Sequence, residues 1–456
     1  MLGILMLAAI SSSLVTSLAM PVLPVFPAEF GIPTGTATWI VFANTLGGVV
    51  FTPVFGRLGD IFGPRRTLVA AMAALTLGSF ICALAPNFTV MIIGRVLQGM
   101  ANSSVPLSIS IARRILPADR IGGASSLLSA TVGIGSSIGI TVGGVLLAFV
   151  GWQLVFGLVG IMSLTAGLLL LLRIPADAAT RGGRIDVWGS IGFSVLMVCL
   201  LVPISEASRL GLGHPLVWGL ALIGVAVAVP WVRSQLRGSD PMINLRTARV
   251  PWVAVGYVLN FVVGLAMILS LLTSVLQVQA PSDLPYGIGR STLVAGLSLL
   301  GGNLAMLLAP RPTAWACRRF AMRSVLAAGL LVNALGFTYR ILFHGHLVEV
   351  IIGYTVVQFG QAILMSALAL LLVRHSAAHE TASAQAVGTM SRLVGMCVSS
   401  SAYAALAAVG SVAIAGESYP TEQTLVLVWA ALTTAFAVAA VLTLTLRRGG
   451  ARPATA

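Results

Sequence analysis

Residues 56 to 66 read Gly56-Arg57-Leu58-Gly59-Asp60-Ile61-Phe62-Gly63-Pro64-Arg65-Arg66, one acid spaced between glycines and followed by paired cations. That pattern suits switching better than covalent chemistry. Glycines permit a tight turn and a close approach of helices. A carboxylate at a helix end in low dielectric needs a partner, and the pairing can lock one conformation. A basic loop beside a membrane would supply the arginines but not the Gly-Asp-Gly spacing. A second group is Arg95, Gln98, Gly99 and Asn102. Arg95 and Gln98 are three apart and Asn102 is four further on, so all share one helical face. An arginine inside a span costs about 3 kcal/mol unless it faces a polar interior. The face is therefore expected to line a cavity, the alternative being a side chain that snorkels outward. Arg392 is the other cation at span depth, and Glu206 and Asp60 are the acids nearest to membrane depth.

Other side chains offer binding rather than reaction. Asn44, Asn260, Asn303, Gln358 and Gln361 are candidate substrate-lining residues, and each could equally satisfy a neighbouring backbone. Glycines 135, 139 and 143 form one stripe, with Gly144 beside it, which lets another helix pack closely. His344 and His346 could hold a metal, but two histidines in a loop read rather as solvated residues, and no metal is expected. Cys82, Cys199, Cys317 and Cys397 lack metal-ligand spacing and read as small apolar residues. No catalytic dyad, metal cluster or phosphate-binding loop is present in the sequence, so neither an enzyme nor a nucleotide-driven pump is expected.

The elements that must position these residues are membrane helices. The chain is 58% hydrophobic and 8% charged, with a mean hydropathy of +1.01, whereas soluble domains are roughly a quarter charged. A spanning helix needs about 20 apolar residues. Such runs are expected at 3–26, 37–56, 67–86, 89–112, 121–149, 152–172, 187–206, 215–232, 251–275, 291–310, 324–343, 348–373, 383–409 and 424–446. The first run is read as a span rather than a leader, because no positive segment precedes it. The net charge of +14 comes entirely from arginine. These arginines crowd into loops on one side, with Arg209, Arg290 and Arg340 assigned to the other and Arg95 and Arg392 within spans. That bias is the pattern that orients membrane proteins, and it places both termini in the cytoplasm. It also removes nucleic acid as the explanation of the charge. The expected fold is all-α and integral to the bilayer. Residues 1–172 form a six-helix bundle, 173–250 a linker carrying two extra helices, 251–446 a second six-helix bundle and 447–456 a tail.

The loop from Gly56 to Arg66 resembles the signature loop of the major facilitator superfamily, whose architecture is two six-helix halves around a central site. Arg95-Val96-Leu97-Gln98-Gly99 is similar to that family's second motif, and the stripe from Gly135 to Gly144 to its exporter-associated motif. Val22-Leu23-Pro24 with Trp39, and Ser391-Arg392-Leu393-Val394-Gly395, resemble the fourteen-span EmrB/QacA branch. The resemblance implies alternating access and proton-coupled export of a hydrophobic or amphiphilic, drug-like molecule across a bacterial plasma membrane. It further implies a monomer driven by the proton gradient with no cofactor. The sequence departs from the branch at Val15, where relatives carry aspartate, and at Ile140, where they carry proline. The motif's second copy, Ala314 to Ala321, has Arg318 in place of the acid. Without the acid, the interior cations Arg95 and Arg392 predict a neutral or anionic cargo. The same fold performing uptake or facilitated diffusion of a metabolite is the alternative.

Overall fold

The computed structural model describes residues 1–176, 186–210, 214–238, 241–243, 250–376, 380–414 and 417–445. The expected tail, 447–456, and most of the linker loops lie outside the described residues. The chain forms α1 (Leu2–Val22), α2 (Phe26–Phe30), α3 (Thr34–Ala37), α4 (Trp39–Phe62), α5 (Pro64–Ala83), α6 (Phe88–Gly99), α7 (Ser104–Ile115) and α8 (Ala118–Arg173). Next come α9 (Val187–Leu210), α10 (Pro215–Arg237), α11 (Pro251–Gln279), α12 (Thr292–Ser298), α13 (Leu300–Leu308) and α14 (Pro310–Arg319). The last elements are α15 (Met322–Leu342), α16 (Leu347–His375), α17 (Thr381–Val409), a β1–β2 hairpin (Ser411–Ile414 and Glu417–Pro420) and α18 (Glu422–Thr445).

Among the described residues, 11 helices are long and apolar enough to cross a membrane. The other three expected spans, 89–112, 121–149 and 383–409, coincide with helices that are interrupted or rich in small and polar residues. The first is broken by a 3-10 turn at Met100–Ser103 between α6 and α7. The second runs on through α8 to a break at Gly151, whose φ of 74° only glycine adopts readily. The helix passes Ile140 without interruption, as expected where no proline removes a hydrogen bond. The third, α17, carries the Gln385, Thr389 and Arg392 side chains. The hairpin between α17 and α18 was not anticipated. It pairs Ser411 with Pro420 and Ile414 with Glu417, and the Tyr286 hydroxyl fastens it by donating to Pro420 O at 2.6 Å. Burial and nearby Tyr419 push that hydroxyl up to about 12, so it stays a neutral donor.

The cores divide as the halves do. One gathers α1 and α4 to α8 around Leu5, Ile40, Leu68, Leu75 and Phe156. The other gathers α11 and α13 to α18 around Val263, Leu330, Phe337, Trp429 and Phe436. The extra pair, α9 and α10, packs Phe193, Leu196 and Trp231 with linker residues Met242 and Ile243, reaching Val54 of α4 and Val387 and Met390 of α17. Inside each half, glycines set the closest crossings. A Cβ at Gly99 would lie 2.5 Å from Asn44 O and 2.8 Å from the Gly48 nitrogen. At Gly264 and Gly395 it would strike the backbones of Arg392 and Phe261, so α11 and α17 touch main chain to main chain. Replacing Gly264 with leucine is expected to force α11 and α17 apart and lower the apparent melting temperature of detergent-solubilised protein by several degrees. Nanoscale fluorimetry checks this.

Candidate functional site

At the arginine-rich end, Asp60 stands on the last turn of α4, and Gly63 follows with φ 101°. That conformation favours glycine, and it turns the chain at once into α5, with Pro64 at its first position. The Asp60 carboxylate reaches across to the other half. Its oxygens accept from the Ala382 amide at 3.2 Å and the Ser383 amide at 3.0 Å, and from the Ser383 hydroxyl. These are first-turn amides of α17, whose N–H groups have no partner within the helix. A carboxylate there gains both hydrogen bonds and the favourable end of the helix dipole. Gly56 and Gly59 allow the approach: a Cβ on Gly56 would strike Ala386, and one on Gly59 would stand 2.5 Å from Leu107 and 3.4 Å from Ala382. Arg57 lies within electrostatic reach of the same carboxylate. Arg65 turns the other way, donating to Leu170 O and Leu171 O at 3.4 and 2.7 Å, the exposed carbonyl end of α8. Arg66 is exposed.

A second strap crosses the same end. Arg113, from α7, donates to Ser376 O at 3.3 Å and to the Thr381 hydroxyl. Among the described residues, the corresponding turn in the second half has no such latch. Ala321 sits at φ −61° where Gly63 has 101°, and Arg318 is exposed at the end of α14. A cation there could not accept from amides at a helix start.

Between the halves, Val105, Ser129, Val132, Asn260, Met365, Ala369, Leu372, Gln385, Gly388, Thr389 and Arg392 line a cavity. It is tight, with room for roughly one water. Of the expected lining residues, Asn260 and Arg392 are there. The Asn260 amide also donates to Gly256 O at 2.8 Å. Gln358 and Gln361 lie on the same face of α16 as Met365 and Ala369, spaced three and four residues apart. Asn303 is half-buried on α13.

Arg95 is not at this cavity. It is fully buried inside the first half, correcting the expectation that its face lines the central space. Its Nε donates to Ile40 O at 2.7 Å and its Nη1 to Val15 O at 3.2 Å and Gln98 Oε1 at 2.7 Å. Gln98 donates on to Ser79 at 3.0 Å, and Asn44 to Arg95 O at 3.4 Å. Arg95 therefore clasps α1, α4 and α6, reaching backbone at Val15 and Ile40. Asn102 donates to Gly99 O at 3.0 Å. Gly135 and Gly139 pack against Ser13, Leu14 and Ser17 of α1 and Gly143 is buried, so this stripe seats a helix; Gly144 belongs to the same helix. Glu206 accepts from Trp39 Nε1 at 2.7 Å, tying α9 to α4 away from the cavity.

One buried cation was missed. Arg340, assigned to an outer loop, lies on the last turn of α15 and is 1% exposed. Its guanidinium donates to Ser270 at 3.3 Å, Thr273 at 3.0 Å and Gln277 at 2.9 Å, and stands 4.7 Å from the Trp429 ring. The ladder Ser270, Thr273 and Gln277, one face of α11, was the available signal. His344 pairs with Glu422 at 2.9 Å, and His346 caps α16. Arg95→Met is expected to remove the hydrogen bonds to Ile40 O, Val15 O and Gln98 and to reduce the yield of monodisperse protein. Arg95→Lys, lacking the planar fork, is expected to rescue it poorly; fluorescence-detected size exclusion reads both.

The sequence comparisons agree with this architecture. The family model described as Major Facilitator Superfamily matches residues 5–317. A MFS-type transporter of Bacillus subtilis is 27% identical over 78% of this chain and 66% of its own length. A multidrug resistance protein B homolog of Mycobacterium tuberculosis is 28% identical over 73% of this chain and 61% of its own. The chain thus spans less than two thirds of the length of these curated relatives. The crystal structure of the human organic anion transporter MFSD10 superposes with a TM-score of 0.64 at 15% identity, covering 97% of this chain and 98% of the other, a likeness of fold. With two helical halves meeting around a central cavity and the family model matched over most of the chain, this multi-pass membrane protein belongs to the major facilitator superfamily of transporters.

Proposed function

We propose that the chain is a fourteen-span secondary transporter of the EmrB/QacA type, exporting a hydrophobic or amphiphilic small molecule in exchange for protons. The observation that carries this reading is the Asp60 latch on α17, a contact between halves that can form in only one of two conformations. Each hydrogen bond to a charged acceptor contributes about 1.5–3 kcal/mol, and about 1.4 kcal/mol is a tenfold change in a population. The latch is therefore strong enough to hold one end closed and weak enough to release it. Support for fourteen spans comes from α6–α7, the first part of α8, and α17, each of which packs among its half's other helices. The arginine bias supports cytoplasmic termini and a cytoplasmic latch. The distant relatives named for multidrug resistance support a drug-like cargo. We read the active unit as a monomer in the plasma membrane.

Asp60→Asn is expected to express and fold normally yet slow export at least several-fold, measured as loss of resistance in an efflux-deficient host challenged with a drug panel. Unchanged resistance would refute the gating role. Proton coupling has its own test, because a protonophore should abolish export of any cargo the panel identifies. Downhill uptake of a metabolite is the second reading. It is favoured by Val15 at the place of the embedded acid and by a cavity whose described lining residues include no acid, and under it the protonophore leaves flux unchanged.

A further inference from the structure

Among the described residues three arginines are buried in the interior, and two of them tie helices together. Arg95 and Arg340 each make three or more hydrogen bonds and stand over an aromatic ring. Arg392 is different. It is 9% exposed, it lines the central cavity, and among the described residues its guanidinium has no hydrogen bond, ion pair or ring contact. Its position is firmly set, because Gly264 and Gly395 bring α11 and α17 together on either side of it. Counting along α17 at about 1.5 Å per residue, it lies roughly 16 Å from Thr381, near the middle of a hydrocarbon layer about 30 Å thick.

A second observation points the same way. Gln361 is fully buried, and neither its amide nitrogen nor its oxygen has a partner. It sits one turn from Met365, which lines the cavity, and Gln358, one turn further, has an unpartnered Oε1. Buried amides and guanidinium groups are nearly always bonded, so the unpartnered Arg392 on the cavity wall and the unpartnered amide of Gln361 one turn from Met365 favour a polar guest. None of the described lining residues is acidic, while Val105, Val132, Met365 and Leu372 supply an apolar wall and Ser129 and Thr389 hydroxyls. Arginine favours planar, two-oxygen anions, which it grips with two parallel N–H donors.

We infer that Arg392 is the substrate-binding cation of the central site, and that the cargo is an amphiphilic anion, a carboxylate or sulfonate on an apolar body, with its charged end on Arg392 and its body against Met365, Val132 and Leu372. This rests on the reading of the chain as a small-molecule transporter and names the class of its cargo. Rocking of the halves must widen the cavity to admit it. The Asp60 latch closes one end, and Arg392 gives the opened cavity its selectivity.

The test uses the full chain in detergent and three probes that share one ring system: 1-naphthaleneacetate, 1-naphthaleneacetamide and 1-naphthylmethylammonium. Equilibrium binding is measured by microscale thermophoresis with no gradient present. The anion is expected to bind wild type at least tenfold more tightly than the amide, and the cation more weakly still. Arg392→Gln should bring the anion down to the affinity of the amide and leave the amide unchanged. Arg392→Lys should keep part of the preference. Wild-type binding alone decides the matter if Arg392→Gln does not fold: equal affinities, a preference for the cation, or no binding of any probe would overturn the inference. Because binding needs neither proton gradient nor direction, an anion preference without protonophore-sensitive export would overturn the export reading alone. Export of neutral compounds without an anion preference would overturn this inference alone.

Discussion

The rest of this structure depends on one carboxylate on one helix end. Asp60 belongs to the first half, and the amides of Ala382 and Ser383 that it accepts from belong to the second. Everything nearby serves that approach. Gly56 and Gly59 remove the side chains that would hold α4 and α17 apart, and Gly63 turns the chain so that the acid ends α4 at the interface. Arg113 adds a strap a few residues away. The pseudo-symmetric turn has alanine at φ −61° and an exposed arginine instead. Closure at this end is therefore asymmetric, locked through α4 and α17 and merely packed between α14 and α8.

The interior arginines follow from a second constraint. In hydrocarbon a polar group without a partner is costly, so a buried guanidinium either ties the protein together or is meant for something else. Arg95 ties α1, α4 and α6 through main-chain carbonyls. Arg340 does the same work at the far end of the second half, through α11 side chains and the Trp429 ring. Arg392, held at the cavity between main-chain contacts at Gly264 and Gly395, has no such partners among the described residues. The three residues share a type and a depth, and their neighbours give them different roles.

Much of this was legible in the sequence, and the limits were physical. The turn at Gly63 and the position of Asp60 at a helix end could be read because Gly-Asp-Gly spacing has a local cause: a tight turn and an acid at a helix end act within one loop. The division into halves followed from charge and hydropathy. Arg95 was misplaced because helical spacing gives a shared face but not what lies opposite it. Only the fold shows that Val15 and Ile40 present carbonyls there. Arg340 was assigned to a loop because one arginine near a helix end reads as solvated. Its burial depends on a polar ladder some 70 residues away on α11. The broken helix at Met100–Ser103 and the hairpin before α18 left no periodic signal.

The central claim is that Asp60 on α17 holds the two halves closed at the arginine-rich end. Spin labels at exposed Arg120 and Arg319, one on each half at that end, report it directly when distances are measured by pulsed electron resonance in lipid bilayers. The account predicts one predominant short separation in the parent protein and, on Asp60→Asn, growth of a second, longer population. Identical distributions with and without the carboxylate would contradict it.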